Sequence, residues 1–160
     1  MVLTGAHGTF AAGADIAEIA TKTSAEGAVD PRKAHWAAIR AFPKPLIAAV
    51  EGFALGGGFE LALMADLMVL GPTARLGLPE TNLGLIPGFG GTQRLLRLAG
   101  RAATLELCLV GAPVDAQRAY ALGIVNRVVP AADLEAETMK LAGPLANAAP
   151  LALRGALDCI

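Results

Sequence analysis

At 160 residues the chain fits one domain with a substantial core, and a formal net charge of −1 leaves no basic excess with which to displace counterions from nucleic acid. The hydrophobic content of 54% comes from Ala, Leu and Val rather than aromatics, and no charge-free apolar run reaches the roughly 18 residues of a membrane span. No basic leader or apolar leader segment opens the chain, so the expectation is a cytoplasmic protein with neither nucleic-acid nor membrane partners, and with Cys108 and Cys159 as isolated, reduced thiols.

Short aliphatic runs bounded by Gly or Pro alternate with helix-like stretches. Val2 to Thr4 reads as a buried strand. The polar, Gly-containing segment Thr21 to Val29 reads as a mobile loop. Pro31 to Phe42 predicts a helix, with Asp30 as N-cap, Pro31 in its first turn and Pro43 as its stop. Leu46 to Val50 is a second buried strand, and Gly56 to Gly58 lead into an apolar helix beginning near Phe59. Leu67 to Leu70 is a third strand. Asp115 to Leu122 predicts a helix capped by Asp115 and ended by Gly123, followed by the strand Ile124 to Val129. A further helix covers Ala132 to Leu141 and stops at Gly143-Pro144. Strands separated by helices point to an α/β fold with parallel pairing through helical crossovers.

The ends look unfinished. A buried-type strand starts at the second residue, and the last helix-like stretch, Leu151 to Ile160, closes on Cys159-Ile160 without a cap. The chain reads as a fragment, or as one completed by partner subunits.

Several chemistries fall to elimination. The single serine, Ser24, sits outside any Gly-x-Ser-x-Gly elbow, and His7 and His35 belong to no metal-ligand spacing, so no metal site is expected. Gly56-Gly57-Gly58 lacks the Lys-Ser/Thr of a nucleotide loop, and Gln93 stands where a dinucleotide fingerprint wants its third glycine.

Backbone amides and two carboxylates remain. The first amides of the helix after Gly56 to Gly58 have no intrahelical partner, and glycines there allow a carbonyl to approach closely. Donors of that kind stabilise a developing enolate oxygen, and losing one in other enzymes costs about 3–4 kcal/mol. Glu60 lies on an otherwise apolar helix, and Glu80 follows Leu78-Pro79 ahead of a glycine-rich turn. Buried carboxyls drift upward in pKa toward the range useful for proton transfer at neutral pH. Singly, Glu60 reads as a helix-start carboxylate and Glu80 as a loop or cap residue. As a pair beside two glycine turns, they point to acid–base chemistry next to a carbonyl.

At these residues the chain resembles the enoyl-CoA hydratase/isomerase (crotonase) family. The likeness runs through Phe10 to Ile16, Lys44 to Gly52, Gly56 to Glu60, Leu78-Pro79-Glu80, Gly84 to Gly88, Gly90 to Leu95 and Ala119 to Val128. It implies the crotonase-type right-handed ββα spiral, here its core portion over residues 1–160, assembled as a homotrimer or dimer of trimers. It also implies an acyl-CoA substrate, with coenzyme A part of the substrate and no separate cofactor. By motif position the oxyanion-hole amides fall on Ala14 and Gly57, and the coenzyme A loop on Ala12, Gly13, Ala14, Asp15 and Ile16. Glu80 would protonate the α-carbon and Glu60 would activate the water, with the Gly88 amide helping to hold it. Two glutamates favour hydration over double-bond isomerisation. Ala17 stands where many members carry a Lys, and strands before Val2 and helices after Ile160 are missing from the pattern.

Overall fold

In the computed structural model, which describes residues 1–160 apart from the side chains of Ser24 and Ala28, the chain steps back and forth between two small sheets. The first is all parallel, in the order β1 (Val2–Thr4), β2 (Ile47–Val50), β4 (Leu67–Leu70), β7 (Arg127–Val128). In the second, β3 (Phe53–Leu55) pairs in parallel with β5 (Arg75–Gly77), which pairs antiparallel with β6 (Val114–Asp115). Thus β2 and β3 feed α4 (Gly57–Ala62), and β4 and β5 lead through a 3-10 turn, Pro79–Leu83, to α5 (Gly91–Leu105). Each strand–strand–helix unit puts one strand in each sheet, which is the ββα repeat that the family resemblance implies.

The core explains why β2 and β4 are aliphatic throughout. Their alternate side chains face two different apolar clusters: Ala48, Val50, Met68 and Leu70 join Phe59, Leu76, Leu78 and Leu95 on one side, while Ile47, Ala49 and Val69 meet Leu134 of α7 (Leu134–Asn147) on the other. A sheet covered on both faces reads as a continuous hydrophobic run.

Several boundaries differ from expectation, each for a local reason. β7 covers only Arg127–Val128, because Ile124 and Val125 turn into the core instead and Asn126 ties the segment to β4: its Oδ1 accepts the Met68 amide at 2.7 Å. α7 runs through Gly143-Pro144 to Asn147. Leu141, Ala142 and Leu145 pack on the β2–β4 face, and this tertiary packing outweighs proline's local preference. The loop expected over Thr21 to Val29 contains α2 (Ser24–Ala28), whose capping box pairs Thr23 Oγ1 with the Glu26 amide and Glu26 with the Thr23 amide. Asp30 then ties Lys22, which precedes α2, to the start of α3 (Arg32–Arg40), since its carboxylate accepts from Lys22 and Arg32 and from the Arg32 amide. α4 starts at Gly57, two residues before Phe59, so its glycines lie within the first turn. Short strands β3, β5 and β6 and helix α1 (Ile16–Ala20) carry no periodicity long enough to read in advance, while α5 is amphipathic and lay outside the expected elements. Among the described residues no helix is long and apolar enough to cross a membrane.

Candidate active site

The pairing of β3 with β5 brings the two glutamates together. Leu55 lies opposite Gly77 at the carboxyl ends of the two strands, and the Gly56 amide donates to the Gly77 carbonyl at 2.9 Å. Immediately beyond that point one chain enters α4, carrying Glu60, and the other enters the 3-10 turn, carrying Glu80. Gly56 takes φ 55° and ψ −128°, a conformation open to glycine, and a Cβ there would stand 3.4 Å from Glu80 Oε1. The site therefore sits at the carboxyl ends of parallel strands, where sheet topology leaves room for ligands.

Glu60 is buried, with 1% of its surface exposed. Its Oε1 accepts the Phe89 and Gly91 amides, each at 2.8 Å, and the Gly88 amide also favours its charged form. Gly91 opens α5, which runs unbroken as far as Gly100 (φ 75°, ψ 173°), so Glu60 caps, from another element, the positive end of that helix. Burial nevertheless dominates and raises the Glu60 pKa above its ordinary value, with the three amides and Arg94 pulling the other way.

Glu80 is held less tightly. Its Oε2 is buried and meets no hydrogen-bonding group among the described residues. Burial, followed by the Glu60 charge, raises its pKa. The turn that carries it is anchored by Thr81 Oγ1, which donates to the Cys108 carbonyl at 2.8 Å, and is closed by Gly84 at φ 70°. Cys108 is buried beside this pair; desolvation, then Glu80 and Glu60, push its thiol pKa up, as befits a protonated packing residue.

The glycine-rich backbone lies alongside. Ala11 bridges to Ala54, its amide donating to the Phe53 carbonyl at 2.9 Å and its carbonyl accepting from Leu55 at 3.0 Å. This clamps the Ala12-to-Ile16 loop beside the start of α4: a Cβ on Gly13 would lie 3.8 Å from the Gly57 nitrogen, and one on Gly58 would lie 2.0 Å from the Ala11 carbonyl oxygen. Ala14 and Gly57 thus belong to adjoining segments. Ala12 to Ile16 are exposed, and the Asp15 carboxylate accepts the Ala17 amide at 2.8 Å to cap α1. Gly88 is exposed, with its amide toward the Glu60 carboxylate.

Three participants were not anticipated. Phe89 and Gly91 supply the amides on Glu60, and Trp36 of α3 stacks on the Phe89 ring at 4.1 Å with an interplanar angle of 9°. The Trp36 edge lies 3.9 Å from the position of a Gly57 Cβ, so the stack stands over the α4 start. The signal for the two amides lay in Gly90-Gly91-Thr92, a helix start with orphan donors, which reads the same way as Gly56 to Gly58 does. Trp36 offered no such signal, being one aromatic on an amphipathic helix. Among the described residues no cluster of His, Cys, Asp and Glu has the makings of a metal site.

Known proteins resemble the chain over nearly its whole length. The family model described as "Enoyl-CoA hydratase/isomerase" matches residues 1–159. A protein of Escherichia coli named 2,3-dehydroadipyl-CoA hydratase is 49% identical over 160 residues, which make up 99% of this chain and 62% of the relative. A crystal structure of an enoyl-CoA hydratase from Bacillus anthracis superposes with a TM-score of 0.90 at 41% identity, covering 98% of this chain and 62% of that one. A Geobacillus kaustophilus enoyl-CoA hydratase subunit superposes with a TM-score of 0.91 at 52% identity, covering 96% and 60%. The chain spans about three fifths of the length of these relatives, and it has the crotonase fold over the part it spans.

Proposed function

The chain belongs to the enoyl-CoA hydratase/isomerase family, and we propose that it adds water to a trans-2-enoyl-CoA thioester to give the 3-hydroxyacyl-CoA. The observation that carries this reading is the convergence of Glu60 and Glu80 beside the Gly56–Gly57 corner.

The roles follow from the surroundings of each group. Glu60, held by amides that stabilise its charge, takes a proton from the attacking water as the water oxygen bonds to the β-carbon. Electrons move from the double bond into the thioester, and the enolate oxygen is stabilised by the Ala14 and Gly57 amides. Glu80, whose raised pKa favours the protonated form, delivers its proton to the α-carbon. Gly88 lies where its amide assists Glu60 and the water. The Ala12-to-Ile16 loop, exposed beside the amide pair, is the proposed seat of the coenzyme. These steps balance without a metal or redox cofactor.

The proposed assembly is a homotrimer or a dimer of trimers. Ile86, Leu109 and Val110, exposed at 79%, 66% and 63%, offer apolar surface for it, and light scattering on the purified protein measures its size.

The deciding experiment follows crotonyl-CoA hydration at the conjugated thioester absorbance in the wild type, Glu60→Gln and Glu80→Gln. Turnover that falls by about 10²–10⁴ in each variant is expected. Near-normal hydration in either variant sinks the assigned role. Double-bond shifting that survives in Glu60→Gln without hydration replaces the hydratase with an isomerase.

A further inference from the structure

A groove of about 340 Å³ opens between α3 and the start of α5, next to the catalytic pair. Its floor is the Trp36–Phe89 stack, and Gly88 lies in its wall. Phe89 donates to Glu60 through its backbone, and Trp36 reaches the Gly57 position, so the groove begins where the β-carbon of a bound enoyl thioester sits under the proposed function. Its lining is also cationic. Lys33, Arg40 and Arg94 line it, and no Asp or Glu does.

The two arginines differ. Arg94 donates to the Phe89 carbonyl at 2.7 Å and so helps shape the turn that holds Glu60. Arg40, at the end of α3, is exposed and has no ion-pair partner among the described residues. Desolvation and then the Arg40 charge lower the Arg94 pKa while the Glu60 charge opposes them, so Arg94 has a neighbouring anion and Arg40 is the arginine of the groove left for one. An anion beside Arg40 relieves the repulsion, and a carboxylate suits its guanidinium fork. No residue of the Ala12-to-Ile16 loop lines the groove, which places it away from the proposed coenzyme seat and on the side toward which the acyl chain extends.

We propose that this groove receives a carboxylate at the far end of the acyl chain, Arg40 being its specificity-determining contact, so that the preferred substrates are enoyl thioesters of dicarboxylic acids. This rests on the hydratase reading for the direction of the acyl chain.

The test has two arms. In the first, kcat/KM for hydration of trans-2-hexenoyl-CoA is compared with that of its ω-carboxylate analogue, in the wild type, Arg40→Gln and Arg40→Lys. In the second, calorimetry gives the affinities of saturated hexanoyl-CoA and adipyl-CoA, which need no turnover. The wild type favours the carboxylate-bearing member at least tenfold in both arms. Arg40→Gln abolishes the preference, mainly through KM, and Arg40→Lys restores part of it. Equal affinities for the two saturated thioesters overturn the proposal. So does a fall in both with Arg40→Gln, which would put a coenzyme phosphate in the groove. Absence of turnover with every thioester, while the affinity contrast persists, removes the hydratase reading and leaves the carboxylate site standing.

Discussion

Gly91 meets Glu60 twice over. Its amide donates to Oε1 at 2.8 Å, and a Cβ in place of its hydrogen would stand 2.9 Å from Glu60 Cγ. The helix α5 therefore fixes the carboxylate through a donor and through a missing side chain at one position. Gly91→Ala pushes the Glu60 side chain rather than backbone, so the fold survives while the carboxylate moves. Hydration falls by about 10²-fold, the scale of a misplaced catalytic group. Steady-state kinetics with the melting temperature taken alongside checks this; unchanged kcat at unchanged stability shows that Glu60 needs no such placement.

Gly58→Ala has the opposite balance. The new Cβ collides with the Ala11 carbonyl 2.0 Å away, which is backbone and itself bonded to Leu55. Loop and helix must separate, at a cost of about 1–3 kcal/mol, and the Ala14–Gly57 amide pair parts with them. Denaturant unfolding and kinetics on the same preparation read both losses. Full stability would show that the Ala11 clamp is looser than drawn.

The raised pKa values of Glu60 and Glu80 have a sign for stability. A carboxyl whose folded pKa lies above its unfolded value of about 4.3 favours the folded state below that value. That contribution is lost as pH rises through the folded pKa. Above its folded pKa each glutamate is thus a charge that burdens the fold, and Glu80, whose Oε2 meets no hydrogen-bonding group among the described residues, shows it most plainly. Glu80→Gln raises the melting temperature at pH 7 to 8, narrows the gap near pH 4 and abolishes activity. Equal melting curves across that range sink the prediction.

Asp30 has the reverse sign. Its hydrogen bonds with Arg32 and Lys22 hold its carboxyl well below the usual carboxylate range, so its contribution is present above about pH 4 and lost as pH falls through its lowered folded value. Asp30→Asn unties Lys22, ahead of α2, from the start of α3. Hydrogen exchange at neutral pH then speeds up over 21–31 while the β2 and β4 amides keep their protection. Unaltered exchange in that segment counts against the tie.

What the sequence made legible follows from how local each cause is. Strands β2 and β4 were readable because burial on both faces leaves an unbroken aliphatic run, and Glu60 and Glu80 stood out as carboxylates beside glycine turns. β3 and β5 were not readable: three residues each, they exist through register with one another and with Ala11. α7 passing Pro144 and β7 shrinking to two residues were likewise decided by packing across the β2–β4 sheet. The amides of Phe89 and Gly91 reach Glu60 across 29 and 31 residues, and no spacing rule joins positions so far apart.

The Trp36–Phe89 stack has a practical consequence. Trp36 is the only tryptophan in the chain, so all indole emission originates from one spot, the floor of the groove beside the glutamates. Near-ultraviolet excitation therefore watches that spot without any attached dye. An occupant sliding over the ring changes the local polarity and the emission maximum, which turns the native protein into its own titration indicator.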